Sequence, residues 1–172
     1  MRINGKNLKR RLYGATRLHD RVRRARYFRG HGVHSPFVYA IVRQVFMRDR
    51  LPEGPHELYE QLLARGVPRK RAVQLQNLLT HCGYHSWLID DTEGRQADML
   101  LLTPETAASA LPRYAGQARD QKVTLVILAP YLNRERDRVC RAMAAAHTGT
   151  TVDNRGYLLF FNNGLPKQHF RL

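Results

Sequence analysis

Acidic residues are scarce in this chain, and the scarcity is uneven. There are 14 Asp/Glu against 29 Lys/Arg in 172 residues, a formal net charge of +15 at pH 7. Residues 1–50 hold 2 acidic and 14 basic residues, residues 51–122 hold 9 and 8, and residues 123–172 hold 3 and 7. Cysteine is scarce too: Cys82 and Cys140 alone exclude a disulfide framework. No apolar run approaches the roughly 18 residues a membrane span needs. Met1–Arg11 has no apolar stretch, which speaks against a secretory signal and for a reducing, cytoplasmic setting. Internal repeats and low-complexity tracts are absent. A hydrophobic fraction of 43% supports one core, so the expected organisation is a single domain with an appended arm.

The basic excess belongs mainly to that arm. Between Asn7 and Phe28 the residues Leu8, Leu12, Ala15, Leu18 or His19, Val22 and Ala25 recur at helical spacing, with Arg and Lys on the other face. Lys9, Arg10, Arg11, Arg17, Arg21, Arg23, Arg24, Arg26 and Arg29 offer many phosphate contacts. Tyr13, Tyr27 and Phe28 are interleaved where they could stack on unpaired bases. Arginine outnumbers lysine, which favours planar, bidentate contact with phosphate. Nucleic acid, RNA first, is the expected partner. An anionic membrane surface ranks lower, because the apolar face of the arm has no tryptophan. A solvated basic face, or one that packs on the domain, is the bland alternative.

Arg29–Val33 breaks the arm with two glycines. Ser35 then reads as an N-cap and Pro36 as the first residue of a new helix, striped by Phe37, Val38, Ile41, Val42, Val45 and Phe46. Gly54-Pro55 opens another helix, stopped by Gly66, and Pro68 begins a third that ends at Gly83. The second half changes period. Strands are expected at 86–90, 97–103, 122–129, 150–152 and 157–161. A helix is expected from Pro104 to Gly116, with Pro112 kinking or shortening it, and Asn133 caps another running to His147. A short segment, 167–172, closes the chain. Strands alternating with helices imply a parallel α/β sheet, and runs such as Thr124–Ala129 suit a sheet covered on both faces.

Two motifs in this order resemble a known family. Gly30-His31-Gly32-Val33-His34-Ser35-Pro36-Phe37 resembles the signature near the start of bacterial class I S-adenosylmethionine-dependent methyltransferase-like proteins. Tyr157–Phe161, followed by Lys167-Gln168-His169-Phe170, resembles that family's closing strand and terminal motif. The likeness spans most of residues 29–172. It implies a Rossmann-like sheet flanked by helices over residues 31–172, truncated here and preceded by the basic helical arm, residues 1–30. It also raises S-adenosylmethionine as a cofactor.

The departures from the family are as specific as the matches. A cofactor site of this type needs a glycine-rich turn after the first strand and an acid after the second. Here Asp90–Gln96 follows the candidate first strand, with one glycine and no room for a helix. Neighbouring parallel strands are joined by about a dozen residues or more. The seven-residue linker therefore predicts a hairpin turn, with strands 86–90 and 97–103 antiparallel or the first of them outside the sheet. Leu102-Thr103-Pro104 and Ala129-Pro130-Tyr131 stand where the family tends to carry acids. Asp90 is the one residue placed to meet a cofactor, if a pocket lies beside it. The expectation is a degenerate methyltransferase-like protein that has no catalytic residues or cofactor and binds RNA or serves as a scaffold. The alternatives are an active methyltransferase with an atypical cofactor site, and a membrane-surface binder. A lost half-sheet would leave an open edge, which a homodimer could cover.

Other constellations have competing readings. His31 and His34 with Cys82 and His85 have the residue types of a zinc site. Otherwise His34 and Ser35 organise the helix start and His31 bonds to backbone or tail, with no metal bound. Cys82, between His81 and His85, could be an activated thiol. Cys140 reads as a core thiol. Asp90, Asp91 and Glu93 read as a solvated turn.

Overall fold

The computed structural model describes residues 33–91 and 96–172. The arm, with its nine basic candidates Lys9 to Arg29, and the Gly30-His31-Gly32 part of the first motif lie outside the described residues.

The helical half forms as its caps dictate. Helix α1, Pro36–Ile41, starts where Ser35 Oγ accepts the Val38 amide at 3.4 Å and Pro36 sits in the first turn. It continues as a wider π-turn over Val42–Phe46, closed by Met47 N donating to Val42 O at 3.0 Å. That widening keeps Val38, Ile41, Val42 and Val45 all buried. Helices α2, Glu57–Ala64, and α3, Arg69–His81, follow. The buried amides Gln74, Gln76 and Asn77 of α3 donate to the carbonyls of Phe46, Pro55 and Arg50. Three side chains thus pin the irregular 46–55 connection and satisfy its backbone.

Six strands make one sheet. They are β1, Trp87–Ile89; β2, Met99–Leu102; β3, Thr124–Leu128; β4, Thr150–Asp153; β5, Tyr157–Phe161; and β6, Gln168–Arg171. Their order is β1-β2-β3-β5-β4-β6. The sheet is mixed. β1, β2 and β3 are mutually parallel, and β6 is parallel to β4, but β5 runs antiparallel to both β3 and β4. An all-parallel sheet is therefore corrected. The three residues between β4 and β5 make a tight reversal, too short for any crossover.

The hairpin expected at 86–103 is also corrected, because β1 lies parallel to β2 with Trp87 opposite Met99 and Ile89 opposite Leu101. The expectation failed on strand length. A crossover of a dozen residues serves a full-length strand, whereas β1 rises only about 10 Å, so a short return suffices. Two aspartates then clamp the pair. At its start, Asp98 accepts the amides of His85 (2.8 Å) and Ser86 (2.9 Å) and the Ser86 hydroxyl (2.9 Å). At its end, Asp90 N donates to Leu101 O at 2.9 Å, and the Asp90 carboxylate reaches over to residues 103 and 106.

Helix α4, Leu111–Asp120, begins seven residues later than the sequence suggests, after a 3-10 turn at Ala108–Ala110. Thr103 and Thr106 spend their hydroxyls on Asp90 and hold 104–107 as a turn, so Pro112 starts the helix instead of kinking it. Helix α5, Arg134–Ala146, is capped by Asn133, which accepts Arg136 N at 2.8 Å.

Side chains alternate between two cores. Ile89, Met99, Leu101, Val126, Leu128, Leu159 and Phe161 face α1, α2 and α3. Leu100, Leu102, Leu125, Ile127, Leu158 and Phe160 face α4 and α5. The result is an α/β sheet flanked by helices on both faces, each fully buried large apolar side chain contributing about 1.5–3 kcal/mol. No described helix is long and apolar enough to cross a membrane.

Candidate functional site

In open α/β sheets ligands sit beyond the carboxyl ends of the parallel strands. Here that end is occupied by the chain's own polar groups. Asp90 has a left-handed backbone, φ 56°, which turns its carboxylate toward β2. One oxygen accepts Thr103 N at 2.8 Å and the Thr106 hydroxyl, and the other accepts the Thr103 hydroxyl at 2.6 Å. Beside it lies Arg136, an arginine of α5 only 2% exposed. Its guanidinium donates to Thr106 O (2.8 Å), Thr103 O (2.9 Å) and Leu128 O (3.1 Å). One cation thereby ties the ends of β2 and β3 to the turn after β2. Burial pushes its pKa below the ordinary arginine value, opposed by the Cys140 and Asp90 charges.

The β4–β5 reversal closes the same end. Arg155 takes φ 69° with its amide on Asp153 Oδ1, and the Tyr131 hydroxyl donates to Asp153 Oδ2. Arg71 of α3 donates to Gln74 Oε1 (2.8 Å) and Asn154 Oδ1 (3.1 Å) and lies over the Tyr157 ring. A Cβ on Gly156 would stand 2.2 Å from Arg71 Nε, so a larger residue there would push the Arg71 side chain out of this arrangement. The residues at this end do not fit S-adenosylmethionine. Asp90, the first of the acids after β1, has both carboxylate oxygens engaged, and Leu102-Thr103-Pro104 and Ala129-Pro130-Tyr131, at the ends of β2 and β3, carry no acid.

Among the described residues the amino end is open. A cleft of about 770 Å³ lies there, lined among others by Phe37, Cys82, Tyr84, Asp98, Lys122 and Asn163. Neither Asp90 nor Arg136 lines it. Its groups do not form a nucleophilic set. Burial pushes the Cys82 thiol up to about 11, opposed by a hydrogen bond with Tyr84, the opposite direction from the lowering an activated thiol needs. Burial also raises the Tyr84 hydroxyl, which shares a 2.6 Å hydrogen bond with Thr124 Oγ1. Asp98 is held below the usual carboxylate range, chiefly by the His85 amide.

The two sequence motifs meet in part. Phe37 packs edge-on against Phe161 of β5, ring centres 4.9 Å apart, so the start of α1 abuts the closing hairpin. His34 is exposed and Ser35 acts as the cap. Lys167 and His169 lie on the far edge of the sheet, beside α5. Among the described residues no group of three or more His, Cys, Asp or Glu is placed to hold a metal ion. Cys140 is 2% exposed, and burial raises its thiol to about 11, as a core position requires.

Sequence reasoning missed Arg136, Asp98, Thr106 and Arg71. An arginine three residues beyond an N-cap looks like any charged helix face, and only the fold shows that this one points inward. Comparison with protein-family models, with curated proteins and with solved structures gives no match in any of the three.

Proposed function

We propose that this chain is a degenerate, methyltransferase-like α/β protein that does not methylate and that binds RNA through its basic arm. The observation that supports loss of the reaction is the closed carboxyl end. Asp90 and Arg136 are spent on Thr103, Thr106 and Leu128, where a cofactor would need free donors and acceptors. Both are side chains whose release would leave buried groups unpaired, at a cost of about 1–3 kcal/mol each. RNA binding is supported by the charge distribution, 14 basic against 2 acidic residues in the first 50, with aromatic residues interleaved.

Two measurements on the full chain test this reading. In calorimetry, S-adenosylmethionine and S-adenosylhomocysteine give no binding heat, and micromolar affinity for either would overturn the inactive assignment. In fluorescence anisotropy, labelled oligouridine binds with steep salt dependence. Neutralising about 6–8 phosphates of a single strand gives a log–log slope of about −4 to −6. A variant combining Arg17→Gln, Arg21→Gln, Arg23→Gln, Arg24→Gln and Arg26→Gln loses most of that affinity. Undiminished binding by the variant would remove the arm from the account.

A further inference from the structure

We infer that the far edge of the sheet carries a second RNA contact, a cationic groove between β6 and α5 that takes the phosphates of a single strand. The inference rests on the RNA-binding reading above but uses different residues. A strand places alternate side chains on one face, and along β6 and the residue before it those are Lys167, His169 and Arg171. All three line a groove of about 240 Å³, and Arg141 of α5 lines it from the opposite wall. Lys167, Arg171 and Arg141 are exposed. Arg134 and Arg138, also exposed, continue the Arg141 row along α5 at helical spacing.

The spacing matches the proposed ligand. Residues two apart on a strand stand about 6.6–6.8 Å apart, comparable with the repeat of successive phosphates on an extended nucleic-acid strand. The side chains are also held in place. Lys167 Nζ donates to Ala145 O at 3.1 Å, the last turn of α5. Arg171 Nε donates to His169 Nε2 at 3.3 Å, which puts the ring proton on Nδ1, facing Thr151 Oγ1. His169 therefore serves to aim Arg171. Arg141 bonds Asp137 Oδ1 at 3.0 Å through Nε, an i,i+4 pair that fixes its stem along α5. One carboxylate, Asp153, also lines the groove, but it is engaged by Tyr131 and the Arg155 amide. The floor includes the apolar Ala144 and Leu158.

The test uses full-length protein and labelled oligouridine, with anisotropy measured across a salt series. The triple variant Arg141→Gln, Lys167→Gln, Arg171→Gln changes exposed side chains, and an unchanged urea midpoint confirms its fold. Losing three phosphate contacts makes the log–log slope shallower by about 2, which is on the order of 20-fold in relative affinity across a fourfold salt change. His169→Ala alone weakens binding by a smaller factor, with an unchanged midpoint. An unaltered slope in the triple variant, while the arm variant loses binding, overturns the groove and leaves the arm reading intact. No binding by the wild-type chain overturns both. Displacement of the RNA by polyglutamate at equal charge concentration would assign the groove to an acidic polypeptide and overturn the phosphate assignment.

Discussion

The two ends of the same three parallel strands have opposite characters. Beyond the carboxyl ends of β1, β2 and β3, a carboxylate and a guanidinium are consumed by hydroxyls, an amide and carbonyls of neighbouring turns. Before the amino ends lies a cleft of about 770 Å³ with polar walls. In open α/β sheets the crevice that holds ligands normally lies at the carboxyl end. What distinguishes the ends here is how buried the partners of their charged groups are. Arg136 and Asp90 use internal partners and so make the carboxyl end part of the core. Asp98 uses exposed partners and so leaves the amino end as surface. Closure is therefore structural, and substitutions at the two ends should differ in cost.

The largest effect is expected at Arg136. Arg136→Met keeps most of the aliphatic stem and removes the guanidinium. Three carbonyls then lose their donor in a buried place. The cost is about 3–4 kcal/mol, read as a lower urea midpoint with an unchanged m-value. A loss under about 1 kcal/mol would mean that water reaches those carbonyls, and hence that the carboxyl end is open after all. Asp90 comes next. Asp90→Ala removes the acceptor of three hydrogen bonds and places an alanine at φ 56°, for about 2–3 kcal/mol. Asp90→Asn tolerates that backbone and keeps one carbonyl, so it should cost about half as much. Equal costs for the two variants would show that backbone conformation, not the carboxylate, carries the closure.

The legibility of this fold follows the same division. Elements that depend on local periodicity and caps could be read in the chain: Ser35 and Asn133 as caps, the α3 stripe, and the apolar β3 and β5 runs. Features that depend on a polar side chain reaching across the fold could not. Thr103 and Thr106 delay α4 because Asp90 claims them, and nothing in Leu102–Thr106 announces a partner 13 to 16 residues away. The parallel pairing of β1 with β2 was hidden because a general crossover length was applied to a three-residue strand. Ser86 and Asp98 were the available signal, since residues that clip each other across a short return permit it. The groove at the far edge was half legible. The alternation Lys167, His169, Arg171 stands in the sequence, but only the topology brings Arg141 opposite.

The smallest effect tests the open end. Asp98 accepts three hydrogen bonds, but it is exposed, so solvent screening reduces their worth. Asp98→Asn should cost about 0.5–1 kcal/mol at neutral pH. Its folded pKa lies below the ordinary carboxylate value, mainly because the His85 amide favours the charged form. A depressed carboxylate stabilises the fold above its unfolded pKa, about 3.9, and that contribution disappears as pH falls through the folded value. The gap between wild type and Asp98→Asn should therefore be constant from about pH 5 upward and shrink below about pH 4. Denaturant midpoints across that range measure it. A gap that persisted undiminished into strong acid would show that the clip works through shape and neutral hydrogen bonds, making the amino end as structural as the carboxyl end. A gap that closes on acidification keeps the distinction, with charge set on a solvated rim at one end and the Arg136 guanidinium buried as part of the core at the other.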